Sequence, residues 1–291
     1  MVNEKCAPLN EKMHPPAPPS GIKILYLDLS MGAAGDMLAA ALLDLLSADE
    51  QERVLSELNA AGIPGTEIKR NAVMKCGIKG LGFQVSINGM VEESEGHIHS
   101  HHDGHHEHHE HHHNQQAHHH AMLDTIHDII AGLKLPEEVK ADITAVYQLL
   151  AEAEGVVHGV PVTEIHFHEV GNLDAVADIA AVCLLMYKLQ PQRVLASPVH
   201  VGSGHVHCAH GVLPVPAPAT AELLKGIPIY SGEIQGELCT PTGAALIRHF
   251  VQEYAPMPPL RPEVYGYGMG HRDFKQVNCV RSVLGNEWSG G

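Results

Sequence analysis

The chain has 291 residues, with 34 acidic side chains against 18 basic ones and a formal charge of −16 when histidine is neutral. That length holds one large or two modest domains with a real core, and the acidic excess argues against nucleic acid or an anionic membrane as a partner while favouring cations. The longest apolar run, 179–187, is about half of what a membrane span needs, and the charged, proline-rich first twenty residues lack the apolar centre of a signal peptide.

In chain order, residues 1–21 read as a disordered lead. The apolar run 22–29 predicts a buried strand, and Gly32-Ala33-Ala34-Gly35-Asp36 turns it into a helix over 37–46. A second helix is expected over 48–61, stopped by Gly62 and Pro64. Residues 67–75 and 81–87 read as two strands joined by a turn at 77–80. After a histidine-rich tract comes a short helix near 122–133, then a longer one from Pro136, a residue suited to a first helical turn. There Val139, Ile143, Val146 and Leu150 recur at helical spacing. Residues 162–168 read as a strand, 173–189 as a helix, 193–201 and 204–208 as strands, and 218–225 and 243–254 as helices. The last stretch, 255–291, with Gly266, Gly268 and Gly270, reads as turn-rich. Alternating strands and helices define an α/β fold, a mixed sheet with packed helices and one long disordered His-rich insertion. The six cysteines, Cys6, Cys76, Cys183, Cys208, Cys239 and Cys279, form no Cys-x-x-Cys pair. They are expected as reduced thiols in the cytoplasm.

The insertion is the most distinctive segment. Fourteen of the residues in 97–120 are histidine: His97, His99, His101, His102, His105, His106, His108, His109, His111, His112, His113, His118, His119 and His120. With almost nothing apolar to bury, the tract is expected to be a solvated loop. Imidazole is a borderline ligand that suits nickel, zinc and copper better than magnesium or calcium. Repeated along a pliable segment, it favours capture of a transition metal over one rigid geometry. A purification tag normally sits at a terminus, whereas this tract interrupts the chain.

Four other stretches could carry chemistry. In the turn Gly32–Asp36, glycines bring backbone amides near an anion at a helix start, flanked by Asp28 and Asp36, with Gly35 at the entry. No lysine follows as in a P-loop, so a capped strand-to-helix turn explains it equally well. In the second stretch, strand geometry over 162–168 puts His166 and His168 on one face, and a helix from 173 puts Asp174 and Asp178 one turn apart. With Glu169 they gather imidazoles and carboxylates at one corner, where a metal ligand (His166) and acid–base residues (His168, Glu169, Asp174, Asp178) belong. In the third, His205 and His207 share one strand face while Cys208 and His210 share the other, so the four cannot close on one ion without a bend. In the fourth, Thr240, Pro241, Thr242 and Gly243 open a helix, a place for a phosphate or a carboxylate.

Taken together, the segments 24–37, 166–178, 202–220 and 237–245, with Gly266-Tyr-Gly-Met-Gly-His-Arg-Asp273, resemble the nickel-insertion family of lactate racemase cofactor maturation. The run Pro214-Val-Pro-Ala-Pro-Ala-Thr220 is the most specific part. The resemblance implies a cytoplasmic enzyme of the metal chelatase or cyclometallase type, a lyase. It would insert nickel into pyridinium-3,5-bisthiocarboxylic acid mononucleotide to form the nickel-pincer nucleotide, using CTP with Mn or Mg. The tract would load nickel, His168 or Glu169 would act as base or transit ligand, His210 would stand in reserve, and Thr240, Thr242 and Gly243 would hold a phosphate. Residues 22–290 then form the nickel-handling domain. The family's C-terminal, CTP-binding domain is expected to be absent from this chain. Expected partners are the mononucleotide, that C-terminal half, the lactate racemase apoprotein and a second copy of the chain. His205 and His207 depart from the family's pattern. A nickel store or metallochaperone without catalysis needs only the tract; a metal-dependent phosphohydrolase would use only the Asp and His clusters.

Overall fold

The computed structural model describes residues 21–91, 121–167, 172–208 and 211–288. The expectations for the lead and for the tract 97–120 therefore lie outside the described residues. Eight strands build the main sheet: β1 (Lys23–Asp28), β2 (Thr66–Lys75), β3 (Ile78–Ile87), β4 (Met90–Val91), β5 (Arg193–Ala196), β6 (Glu253–Tyr254), β7 (Leu260–Met269) and β8 (Cys279–Glu287). Their order is β6-β5-β1-β8-β7-β3-β2, with β4 paired to β3. β1 runs parallel to β5 and antiparallel to β8, so the sheet is mixed.

The helices are α1 (Gly35–Leu43), α2 (Ala48–Ala60), α3 (Leu123–Gly132), α4 (Glu137–His158), α5 (Leu173–Leu189), α6 (Pro218–Leu223) and α7 (Pro241–Phe250). Strand alternation divides β1. Leu25 and Leu27 join the main core with the helices, whereas Ile24 and Tyr26 pack with Leu195 and Val283 in a small cluster of their own. Eight of the nine α1 residues are buried, and α1 is apolar all round, as befits a helix enclosed between sheet and neighbours. It lies on β7 and β3, α5 packs on it, and α4 covers α5 together with α6 and α7. Short two-stranded pairs decorate the edges. Val199–His200 runs parallel with Ile229–Tyr230, Gly202–Ser203 pairs with Gly236–Glu237, and His205–Cys208 pairs with Gly211–Pro214.

Several boundaries differ from the sequence reading, each for a visible reason. The 67–87 hairpin turns on two residues, not four: Cys76 and Gly77 both have positive φ (49° and 80°), the type I′ pattern that matches strand twist. Pro136 is the N-cap of α4, one position before its first turn, and Gly159 ends that helix in the left-handed conformation. The strand expected over 193–201 breaks at Ser197 and Pro198, where the Ser197 hydroxyl accepts from the Leu29 amide. The strand expected over 162–168 is a single 3₁₀ turn, Val162–Glu164, followed by His166–Phe167 paired with Ala121–Met122. Helix α7 stops at Phe250, and Glu253–Tyr254 adds to the sheet edge beside β5.

The largest correction concerns 255–291. This segment is not turn-rich; it supplies β7 and β8, two long strands in the middle of the sheet. The glycines that read as turns are instead contact points. A Cβ on Gly268 would lie 1.9 Å from the Met37 carbonyl oxygen, and one on Gly266 would lie 2.1 Å from that of Ala41. Bare backbone on β7 lets α1 settle directly onto the strand. The Ser282 hydroxyl from β8 then donates to the Ala41 carbonyl at 2.8 Å, and Asp44, just past α1, accepts from the Tyr267 amide at 2.9 Å.

This packing predicts that Gly268→Ala forces α1 away from the sheet and lowers stability by about 1–3 kcal/mol or more. Gly132→Ala, whose added methyl meets open space, serves as the control. Urea unfolding of both variants checks it; equal midpoints would contradict the close-contact argument.

Candidate functional site

Two turns meet at the carboxyl end of β1. The Ala33 amide donates to Leu238 O and the Thr240 amide to Ala33 O, both at 3.0 Å. Gly32 (φ +82°) sits so close that a Cβ would fall 1.9 Å from Leu238 O, and a Cβ on Gly243 would fall 2.1 Å from Ala33 O. These glycines admit backbone against backbone. The Gly32 amide is already committed to Leu29 O at 2.9 Å. At the start of α7, Thr240 caps the helix itself, its hydroxyl accepting from the Gly243 amide at 3.1 Å.

The start of α1 is likewise engaged, by a carboxylate of the chain. Asp178 on α5 accepts from the Asp36 amide, and it approaches because Gly35 has no side chain: a Cβ there would lie 2.7 Å from Asp178 Oδ2. The helix terminus favours a negative charge, yet three influences oppose one on Asp178. Burial is the largest, followed by the charges of Asp36 and of Asp174 one turn earlier on α5; together they push its pKa well up. Tyr147 of α4 faces the same carboxyls; its phenol is pushed well up, first by burial and then by Asp174 and Asp178. Its ring meets Phe167 edge-on at 5.9 Å.

Asp36 has a further partner. His271, on the loop after β7, places Nε2 at 3.3 Å from Asp36 Oδ2 and stays half-exposed. Its pKa is raised, first by the hydrogen bond to Asp36. Lys75 from the β2–β3 hairpin holds that loop, donating to His271 O at 3.2 Å, Arg272 O at 2.9 Å and Asp273 Oδ1 at 2.6 Å. His271 thus touches Asp36, the Asp36 amide reaches Asp178, and Asp174 acts on Asp178 through its charge.

The structure brings together Gly32, Gly35, Asp36, Asp174, Asp178, Thr240 and Gly243, with Thr242 in the first turn of α7. Asp28 is tied up locally: its Oδ2 pairs with Arg281 at 2.7 Å and its Oδ1 accepts from the Ser30 amide at 3.1 Å. His168, Glu169 and His210 lie outside the described residues, as does the side chain of His166. His205 and His207 are exposed on their hairpin. Cys239, in the second of the two turns, is buried, and burial and then Glu237 push its thiol up, so it stays protonated near neutral pH when no metal is bound. Among the described residues no group of three or more His, Cys, Asp or Glu is arranged to hold a metal ion. The sequence reading missed His271, whose Gly-rich motif was informative as a pattern but not as a site.

An α/β chain with this site belongs to the nickel insertion protein family, which matches residues 25–290. Among curated proteins it is similar to the pyridinium-3,5-bisthiocarboxylic acid mononucleotide nickel insertion protein of Geobacillus kaustophilus. The two are 38% identical over 267 residues, which is 91% of this chain and 60% of the relative. The Clostridium kluyveri protein of the same description is 39% identical, over 91% of this chain and 63% of its own length. A putative nickel insertion protein of Dictyoglomus thermophilum is 36% identical, over 91% and 61%. The chain therefore spans about 60% of the length of these relatives. No solved structure matches it.

The buried carboxyl gives a pH prediction. The folded chain keeps a proton on Asp178 at pH values where the unfolded chain has lost it. That contribution is present below the unfolded value of ~4 and fades as pH rises through the higher folded value. His271, raised by Asp36, acts in the same direction, so the isolating variant is Asp178→Asn, which keeps an oxygen for the Asp36 amide. Asp178→Asn should unfold at higher urea than the parent at neutral pH and show a flatter midpoint–pH profile; parallel profiles would refute the assignment.

Proposed function

We propose that this chain handles and inserts nickel in the making of a nickel-pincer nucleotide, the cofactor of lactate racemase, with pyridinium-3,5-bisthiocarboxylic acid mononucleotide as the acceptor. The observation that carries the reading is the family match together with the carboxyl cluster around Asp178. Insertion exchanges a ring proton for nickel. The ring C–H bond breaks, its electron pair goes to Ni²⁺, the proton goes to a base, and the two thiocarboxylate sulfurs complete the grip on the metal. No oxidant or reductant is needed. The residues take roles accordingly. The imidazoles of 97–120, with His166, collect nickel; His168 or Glu169 removes the ring proton, with His210 next in line. Asp178, which keeps its proton to higher pH than an ordinary carboxyl, holds that proton beside Asp36, which His271 contacts from the solvent side.

The CTP requirement, with Mn or Mg, is assigned in this reading to the part of the longer relatives that this sequence does not cover. The first turns of α1 and α7 leave few free amides for a phosphate, and the acidic chain repels a triphosphate that carries no divalent ion. No helix among the described residues is long and apolar enough to cross a membrane. The tract favours a second reading, nickel storage, which needs none of the residues around Asp178.

The test is incubation of the chain with nickel, the mononucleotide and CTP, with and without the C-terminal segment of a relative, followed by mass spectrometry. A nickel-containing nucleotide is expected only when both halves are present. His168→Ala or Glu169→Ala should cut its formation by ~10²–10⁴-fold, the usual cost of losing a general base, while bulk nickel binding persists. Nickel binding with no product under any combination would leave the storage reading.

A further inference from the structure

The hairpin of His205–Cys208 and Gly211–Pro214 takes no part in the site around Asp178, yet its root is tied to that site's second turn. Gly202–Ser203, which leads into the hairpin, pairs with Gly236–Glu237. That pair runs directly into Leu238, whose carbonyl holds the Ala33 amide at 3.0 Å. The Val215 amide donates to Gly204 O at 3.0 Å, and the Gln235 side chain donates to the Ser203 hydroxyl at 3.1 Å, so the base of the arm is fastened on both sides. Along the arm, His205 lies opposite Pro214 and His207 opposite Val212. Side chains two apart on a strand share a face, as do those directly opposite. His205 and His207 therefore stand side by side, with Val212 and Pro214 as their neighbours. Both histidines are exposed, and neither ring has a hydrogen bond or an ion pair among the described residues. The segment 205–214 contains no lysine, arginine, aspartate or glutamate that could pair with them.

We propose that His205 and His207 together form a two-imidazole site for a divalent transition-metal ion, which the function proposed above makes nickel. Only the identity of the ion rests on that reading. Residues two apart on a strand have Cα atoms about 6.6 Å apart. A metal–imidazole bond of ~2.1 Å puts nitrogens at adjacent corners of a tetragonal site about 3 Å from each other. Two histidine rings turned toward one another span that difference without any change of main chain. Once one ring holds the ion, the second binds it intramolecularly, at an effective concentration set by the single residue between them. A pair on a fastened strand therefore holds a metal better than single histidines scattered over a surface. Imidazole selects nickel, copper or zinc over magnesium and calcium. Cys208 lies on the opposite face, so the protein supplies two ligands and water fills the remaining positions. Those waters are the ones that two thiocarboxylate sulfurs can displace. The tract collects metal, whereas this pair, rooted beside Leu238, holds an ion at a defined place.

The experiment uses the whole chain and modification of histidine by diethyl pyrocarbonate, read residue by residue by mass spectrometry, with nickel or magnesium chloride as the probe. Nickel is added until modification of 97–120 falls no further. Modification of His205 and His207 should then be lost together with nickel and kept with magnesium. In His205→Gln, modification of His207 should return at the same nickel concentration, and His207→Gln should do the same for His205. The comparison of nickel with magnesium on the parent chain stands even if a variant unfolds. Either ring still modified at that excess of nickel overturns the site. So does protection of one ring that survives loss of the other, which makes them two separate contacts, or equal protection by magnesium. Protection without any nickel-containing nucleotide in the insertion assay keeps the metal site and removes the insertion reading. Product with both rings freely modified does the reverse.

Discussion

Helix α1 approaches its surroundings more closely than side chains permit, and the rest of the molecule is arranged around that approach. Gly266 and Gly268 bring the β7 backbone to the carbonyls of Met37 and Ala41, and Gly243 brings α7 to Ala33. Gly35 admits the Asp178 side chain at that same N-terminal end. Interiors are packed at crystal-like density, so a helix seated on bare backbone fixes the positions of everything that covers it, α5 first and α4 beyond. The site inherits this rigidity, because Asp36, Asp174 and Asp178 all ride on the two helices in closest contact.

Within that frame the electrostatics oppose one another. The α1 terminus and the Asp36 amide favour an anion at Asp178, while burial and the neighbouring carboxyls disfavour it, and the second influence prevails. Such opposition is uncommon in a purely structural cap, which would choose a serine or an exposed aspartate. It is the kind of environment in which a carboxyl holds or yields a proton according to what binds beside it. His271 touches Asp36 on one side and solvent on the other.

Much of the fold was legible from pattern. The 3.6-residue spacing in α4 and the apolar runs of β1, α1 and α5 placed those elements within a few residues, because each buries a continuous face. The pairing of Asp174 with Asp178 followed from helical spacing alone. What was not legible depended on distant partners. Glycines at 266 and 268 look like turn residues unless α1 is known to lie against them, and the brief strand at 253–254 exists only because a neighbour pairs with it. That Asp28, beside the Gly32–Asp36 turn, pairs with Arg281 could not be read locally, because Arg281 is far along the chain.

The β2–β3 hairpin has a less obvious standing. Hairpin tips are ordinarily the places where a chain accepts insertions, deletions and cuts. Here Lys75, at the last position of β2, reaches over to the loop that carries His271, and Cys76 adds a contact from its thiol to Lys275 O at 3.7 Å. Adding or removing a single residue in the arm would rotate Lys75 to the opposite face and release that loop. The length of the hairpin is therefore constrained by chemistry at the far end of its reach, while the identity of most residues along it is not. Drift in this lineage should accordingly alter what the arm is made of far more readily than how long it is.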